Sequence, residues 1–158
     1  MFYRTAILFI SLCMMACNST DSLTKEERQS VTDSVRATLH RYYEDIRRYG
    51  LMAEFGYLDS SAEFSWHPPG YSTSISYDSI AKIIRQNALA VREADNSWDS
   101  LHVTPLTNQL ATYYGRILSV ITDTSGKSDI YILIETGHVI KRADGWKLLN
   151  GKTRLVSH

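Results

Sequence analysis

Residues 129–150 read DIYILIETGHVIKRADGWKLLN. Two apolar runs with period-two alternation flank Ala143-Asp144-Gly145, which predicts two long strands joined by a tight turn. If the turn sets Arg142 across from Trp146, then Trp146, Leu148, Ile140 and His138 share one face, with His138 opposite Asn150. Glu135 and Gly137 share the other face. Both faces are substantially apolar, as expected when one meets helices and the other meets a second subunit. Alternation alone does not say which face is concave.

The segments before the hairpin pack against it or lead into it. Thr24-Lys25-Glu26-Glu27 is a capping-box sequence. Val31, Val35, Leu39, Tyr42 and Ile46 follow at helical spacing and Gly50 ends the run, so an amphipathic helix is expected. A shorter helix over 51–58 would turn Leu51, Phe55 and Leu58 inward. Residues 63–67 alternate as a short strand, stopped by Pro68-Pro69-Gly70. Ser76 caps the next helix, with Ile75 and Ile80 as its hydrophobic staple. Its buried stripe of Ile80, Ile83, Ile84, Ala88 and Val91 carries it to about Ala94, with Asn87 inside the stripe. Strands are then predicted over 100–106 and 110–122, with Gly115 marking a bulge or bend. A turn at 123–127 leads into the hairpin, and residues 152–158 extend it. Helices followed by a run of antiparallel strands indicate an α+β fold.

The first sixteen residues differ in kind. Arg4 precedes an apolar run over 6–15 that is too short to span a bilayer. Ala16-Cys17 and a polar stretch follow. A small residue before cysteine at the end of such a run resembles a bacterial lipobox, with Met14 where leucine is usual. The resemblance implies a signal peptide over 1–16, a lipid on Cys17, a tether over 17–23 and one domain over 24–158. The protein would then be exported and anchored to the cell envelope. Asn18 in place of aspartate makes the outer membrane the expected address.

Lys and Arg number 17, as do Asp and Glu. A neutral chain without a long basic run does not point to nucleic acid. The histidines, His40, His67, His102, His138 and His158, show no metal-ligand spacing, and there is no nucleophile elbow, phosphate loop or dinucleotide fingerprint. The sequence therefore implies no cofactor.

The order of elements, with Arg41-Tyr42, residues 66–70, the Ser76-capped helix and residues 141–149, resembles the nuclear transport factor 2-like superfamily. The likeness is to its SnoaL-like and ketosteroid-isomerase-like branch and spans about 22–156. It implies a cone-shaped fold: a curved antiparallel sheet, four long strands plus a short first strand, packed on about three helices. Isomerases of that branch keep a tyrosine donor on the first helix, a carboxylate base before a proline after the first strand, and a protonated acid on the penultimate long strand. Tyr42 matches the tyrosine and His67 stands at the base position. The acid position is Gly137, with Glu135 two residues earlier on the same face. Facing inward, Glu135 must be paired or protonated; facing outward, it is a solvated edge residue.

Three functions compete, because the fold hosts all of them. The first is a lipid-anchored module whose cone binds a small apolar ligand through Tyr42, Trp66, His67, Asn87 and Glu135. The second is an isomerase, dehydratase or cyclase using His67 as base and Tyr42 as donor. The third is a homodimeric interaction module.

Overall fold

The computed structural model describes residues 22–157. The expected signal peptide, Cys17 and most of the tether lie outside the described residues. Helix α1 (Lys25–Tyr49) starts at the expected capping box: the Glu27 N–H donates to Thr24 Oγ1 at 3.1 Å and the Thr24 N–H donates to Glu27 Oε2 at 2.8 Å. Its buried face is the predicted stripe with Tyr43 added. A 3₁₀ helix (Leu51–Gly56) follows, then β1 (Ser65–His67), α2 (Tyr77–Ala90), β2 (Val91–Pro105), β3 (Leu110–Asp123), β4 (Ser128–Arg142) and β5 (Gly145–Ser157).

The sheet order is β1-β5-β4-β3-β2. The four long strands form the expected antiparallel meander, curved around α1. β1 runs parallel to β5, pairing Ser65 with Asn150 and His67 with Lys152, so the sheet is mixed. No hairpin joins β1 to its neighbour, so nothing forces an antiparallel pairing.

Two boundaries differ from expectation. Helix α2 stops at Ala90 and β2 begins at Val91 with no loop between them. Residues 92–95 suit a helix in composition, but Ala94 is buried and pairs with Ile121 of β3, and this tertiary pairing decides. The predicted bulge lies on the facing strand, between Trp98 and Ser100, beside Gly115.

The hairpin turn is Ala143-Asp144 alone, since Arg142 pairs with Gly145 and Lys141 with Trp146. That is one residue shorter than expected, and a one-residue slip exchanges the faces. Trp146 and Leu148 therefore lie on the inner face with Glu135, Gly137 and Val139, while His138 and Ile140 lie on the outer face. His138 still sits opposite Asn150, with Nδ1 and Oδ1 2.7 Å apart, because a bulge at Leu149 restores the register. Below the bulge Gly151 and Thr153 face inward.

The core is continuous from α1 to the sheet: Val35, Leu39 and Ile46 meet Ile117, Val139 and Leu148. Asp59, just after the 3₁₀ helix, ties this region to the hairpin. Its carboxylate accepts from Arg142 Nη2 at 2.5 Å and its N–H donates to the Leu148 carbonyl at 2.9 Å.

Candidate functional site

Between the concave face, α2 and the 3₁₀ helix lies a cavity of about 450 Å³. Its walls are mostly apolar: Leu51, Ile84, Val91, Ile121, Leu133 and Leu155. A deeper cavity of about 130 Å³ shares Glu54 and Thr153 with it and adds Tyr42, Trp66 and Glu135. A few polar groups within apolar walls is the composition of a small-molecule site.

Glu135 is 5% exposed and points inward. Its place on β4 puts it between β3 and β5, and each neighbour supplies a donor. Tyr113 of β3 donates to Oε1 at 2.7 Å, Thr153 of β5 donates to Oε2 at 3.1 Å, and Tyr43 of α1 reaches Oε2 at 3.4 Å. Trp66 Nε1 donates to Thr153 Oγ1 at 3.2 Å, which extends the network to β1. Burial pushes the Glu135 carboxyl up, against the pull of these donors. Burial beside Glu135 also holds the Tyr43 and Tyr113 hydroxyls well above the usual tyrosine range, so they remain donors.

Glu54 is the second inward carboxyl. The 3₁₀ helix places it on the same side as Leu51, three residues earlier. Tyr42 donates to its Oε2 at 3.1 Å. Burial pushes the Glu54 carboxyl up to about 7; the Tyr42 hydroxyl pulls against this and the charge of Glu135 adds to it. A carboxyl with that value, at the boundary of both cavities, can take up or release a proton near neutrality.

The sequence-derived residues divide. Tyr42, Trp66 and Glu135 line the deeper cavity, and Asn87 is exposed at the rim of the larger one. His67 does not join them. Trp66 points inward, so strand alternation turns His67 away, and its Nε2 lies 2.8 Å from the Tyr71 carbonyl oxygen. The pairing of His67 as base with Tyr42 as donor is not realised. Tyr42 instead serves Glu54, which the sequence reading passed over. Among the described residues no group of three His, Cys, Asp or Glu side chains is placed to hold a metal ion.

Neither any family model nor any curated protein matches the chain by sequence. Solved structures do match in shape. The hexachlorocyclohexane dehydrochlorinase LinA-type3 from Novosphingobium barchaimii aligns with a TM-score of 0.66 at 8% identity, over 85% of this chain and 92% of that one. A nuclear transport factor 2-like superfamily protein from Salmonella enterica aligns at 0.64 and 13%, over 86% and 95%. A ketosteroid isomerase-like protein from Erwinia carotovora atroseptica aligns at 0.62 and 16%, over 80% and 97%. At such identities the likeness establishes the fold: this chain has the nuclear transport factor 2-like cone.

Proposed function

We propose that the chain is a proton-transfer enzyme of the isomerase, dehydratase or cyclase kind, acting on a small, largely apolar molecule held in the cone. The observation that carries this is Glu54, a carboxyl pushed up to about 7 at the junction of an apolar cavity and a buried hydrogen-bond network. Glu54 takes the role first given to His67. As carboxylate it removes a proton from a carbon activated by a neighbouring carbonyl or leaving group. The C–H pair forms the new double bond while the carbonyl π pair moves onto its oxygen, or while the bond to the leaving group breaks with its pair. Protonated Glu54 then returns the proton at another carbon or to the leaving group. Tyr42 positions Glu54, burial keeps its carboxyl near neutrality, and the charge of Glu135 adds to that.

The test is α-proton exchange of a bicyclic ketone, 2-decalone, into D2O, followed by NMR. Wild type should accelerate exchange with an apparent pKa near Glu54's value of about 7, and Glu54→Gln should lose the acceleration. Equal exchange rates in the two proteins would remove Glu54 as the base.

One observation favours the non-catalytic ligand-binding reading. The hydroxyls of Tyr42, Tyr43 and Tyr113 all donate to carboxylates, so none is left to serve an oxyanion. Under that reading 2-decalone binds with the same affinity to wild type and Glu54→Gln, and neither exchanges it.

We further propose, from residues 6–17, that a lipid on Cys17 anchors the domain to a membrane. No helix among the described residues is long and apolar enough to cross one. Cys17→Ser should move the protein from the membrane fraction to the soluble one; retention on membranes would end the proposal.

A further inference from the structure

The two cavities of the cone carry acids and no bases. Glu54 lines both, and Glu135 lines the deeper one. No lysine, arginine or histidine is among the residues that line either. The salt bridges among the described residues use other carboxylates: Asp59, Glu63, Asp99, Asp129 and Asp144. No positive charge enters the balance that sets either buried carboxyl. Both meet burial and hydroxyl donors, and Glu54 also meets the charge of Glu135. Buried charges in folded proteins are ordinarily paired. Two inward acids without a cation leave negative charge for something else to meet.

One oxygen is open to meet it. Tyr42 donates to Glu54 Oε2. Oε1 takes no donor from the described residues, and it is not among the buried side-chain atoms that lack a partner, of which Asn96 Oδ1 is the one found. Glu54 Oε1 is therefore accessible to a water-sized group. The deeper cavity of about 130 Å³ has room for an ammonium, which is close in size to a water molecule at about 30 Å³. Tyr42, Phe64 and Trp66 also line it, and aromatic rings attract cations. The larger cavity offers Ile84, Ile121 and Leu133 to a hydrocarbon body.

We infer that the cone takes molecules bearing a protonated amine on an apolar body, with the ammonium at Glu54, where the cavities meet, and the body in the larger one. The inference rests on the cone being a ligand site, and it names the charge the ligand carries. Glu135 adds a second negative charge to the same wall, its own oxygens already holding Tyr113, Thr153 and Tyr43. An opposite charge beside Glu54 favours its ionised form, the form that removes a proton. If the acids are instead satisfied by holding protons, an ammonium gains nothing there.

Three probes with one body and different charges test it by isothermal titration: 3-phenylpropylamine, 3-phenylpropanol and 3-phenylpropanoate. At about pH 8 the amine is protonated, and Glu54, with its value of about 7, is mostly ionised. Wild type should bind the amine about tenfold more tightly than the alcohol, the worth of a hydrogen bond to a charged group, and the propanoate most weakly. Glu54→Gln, and Glu54→Ala should the glutamine variant fold poorly, should lose most of the amine's lead and keep the alcohol's affinity. Alcohol binding as tight as amine binding in wild type overturns the inference. So does a lead that survives in full in both Glu54 variants. If no probe binds, the cone is no site for such molecules and the inference falls with that reading. Failure of 2-decalone exchange with the amine preference intact discards only the role of Glu54 as base. Exchange that depends on Glu54, without any preference for the amine, discards only the cation.

Discussion

The Tyr113 ring occupies the space that a side chain at Gly137 would need. A Cβ at position 137 would lie 3.0 Å from Tyr113 Cε1 and 3.1 Å from its hydroxyl oxygen. The position where the family resemblance expects an acid is therefore empty for a reason. Its volume admits a ring whose hydroxyl reaches Glu135, the acid two residues away on the same face. A matching exchange occurs on the paired strand, where a Cβ at Gly151 would lie 2.6 Å from the Trp66 ring.

Gly137→Ala should destabilise the fold by about 1–3 kcal/mol, the usual cost of overpacking. The added Cβ also meets the Asn150 carbonyl oxygen at 2.6 Å, and that backbone cannot swing aside as a ring can. Urea unfolding measures the loss. An unchanged midpoint would mean that the two strands part readily here.

Tyr113→Phe removes the shortest of the three bonds to Glu135 and nothing else of similar size. A loss of about 1–3 kcal/mol is expected at neutral pH, in the range for a buried bond to a charged group. With fewer donors the Glu135 carboxyl should titrate still higher, which carboxyl NMR shifts of the variant would report.

Glu54 gives stability a pH dependence of definite sign. Its folded value of about 7 exceeds the ordinary glutamate value of 4.5, so the folded state binds the proton more tightly. Stability should therefore fall as pH rises from 4.5 to about 7, by on the order of 2 kcal/mol once its partial exposure is allowed for. Glu54→Gln should flatten this part of the profile. A wild-type and a variant profile that run parallel through the window would contradict it.

Asp59 behaves in the opposite sense. Burial raises its carboxyl, but the bonds from Arg142 and Ser61 outweigh that and hold it below its ordinary value. Its contribution is present at neutral pH and is lost as pH falls through the folded value, below 3.8. Arg142→Gln should lower the thermal midpoint at pH 7 by a few degrees. The difference should close in acid, where Asp59 is protonated in both proteins.

What was legible in the sequence was what local chemistry decides. The Thr24 capping box, the α1 stripe and the alternation of the long strands all reappear as expected. The hairpin faces were misassigned because two features lie below the resolution of a pattern. Ala143-Asp144-Gly145 fits a two- or three-residue turn equally well, and Leu148-Leu149 offers no polar residue to mark which one is extra. Glu54 was missed because α-helical spacing selects Leu51, Phe55 and Leu58, whereas a threefold repeat puts Glu54 with Leu51. His67 was the avoidable error, since an inward Trp66 turns its strand neighbour outward.

The bulge at Leu149 bears on the order in which the chain folds. A hairpin zipping from Ala143-Asp144 without it would carry Asn150, Lys152 and Arg154 onto the concave face, against the buried Glu135 side. With it, Gly151, Thr153 and Leu155 arrive there instead. The lower half of the hairpin thus follows a register one residue out of step with its turn. Trp66, 87 residues from Thr153 in sequence, donates to it and so bonds to the shifted frame. Closure of that half is a non-local step, slow because a long loop must close before it is rewarded. The residue count that places Thr153 beside Glu135 thus makes the site complete only where the first and last strands among the described residues, β1 and β5, have met.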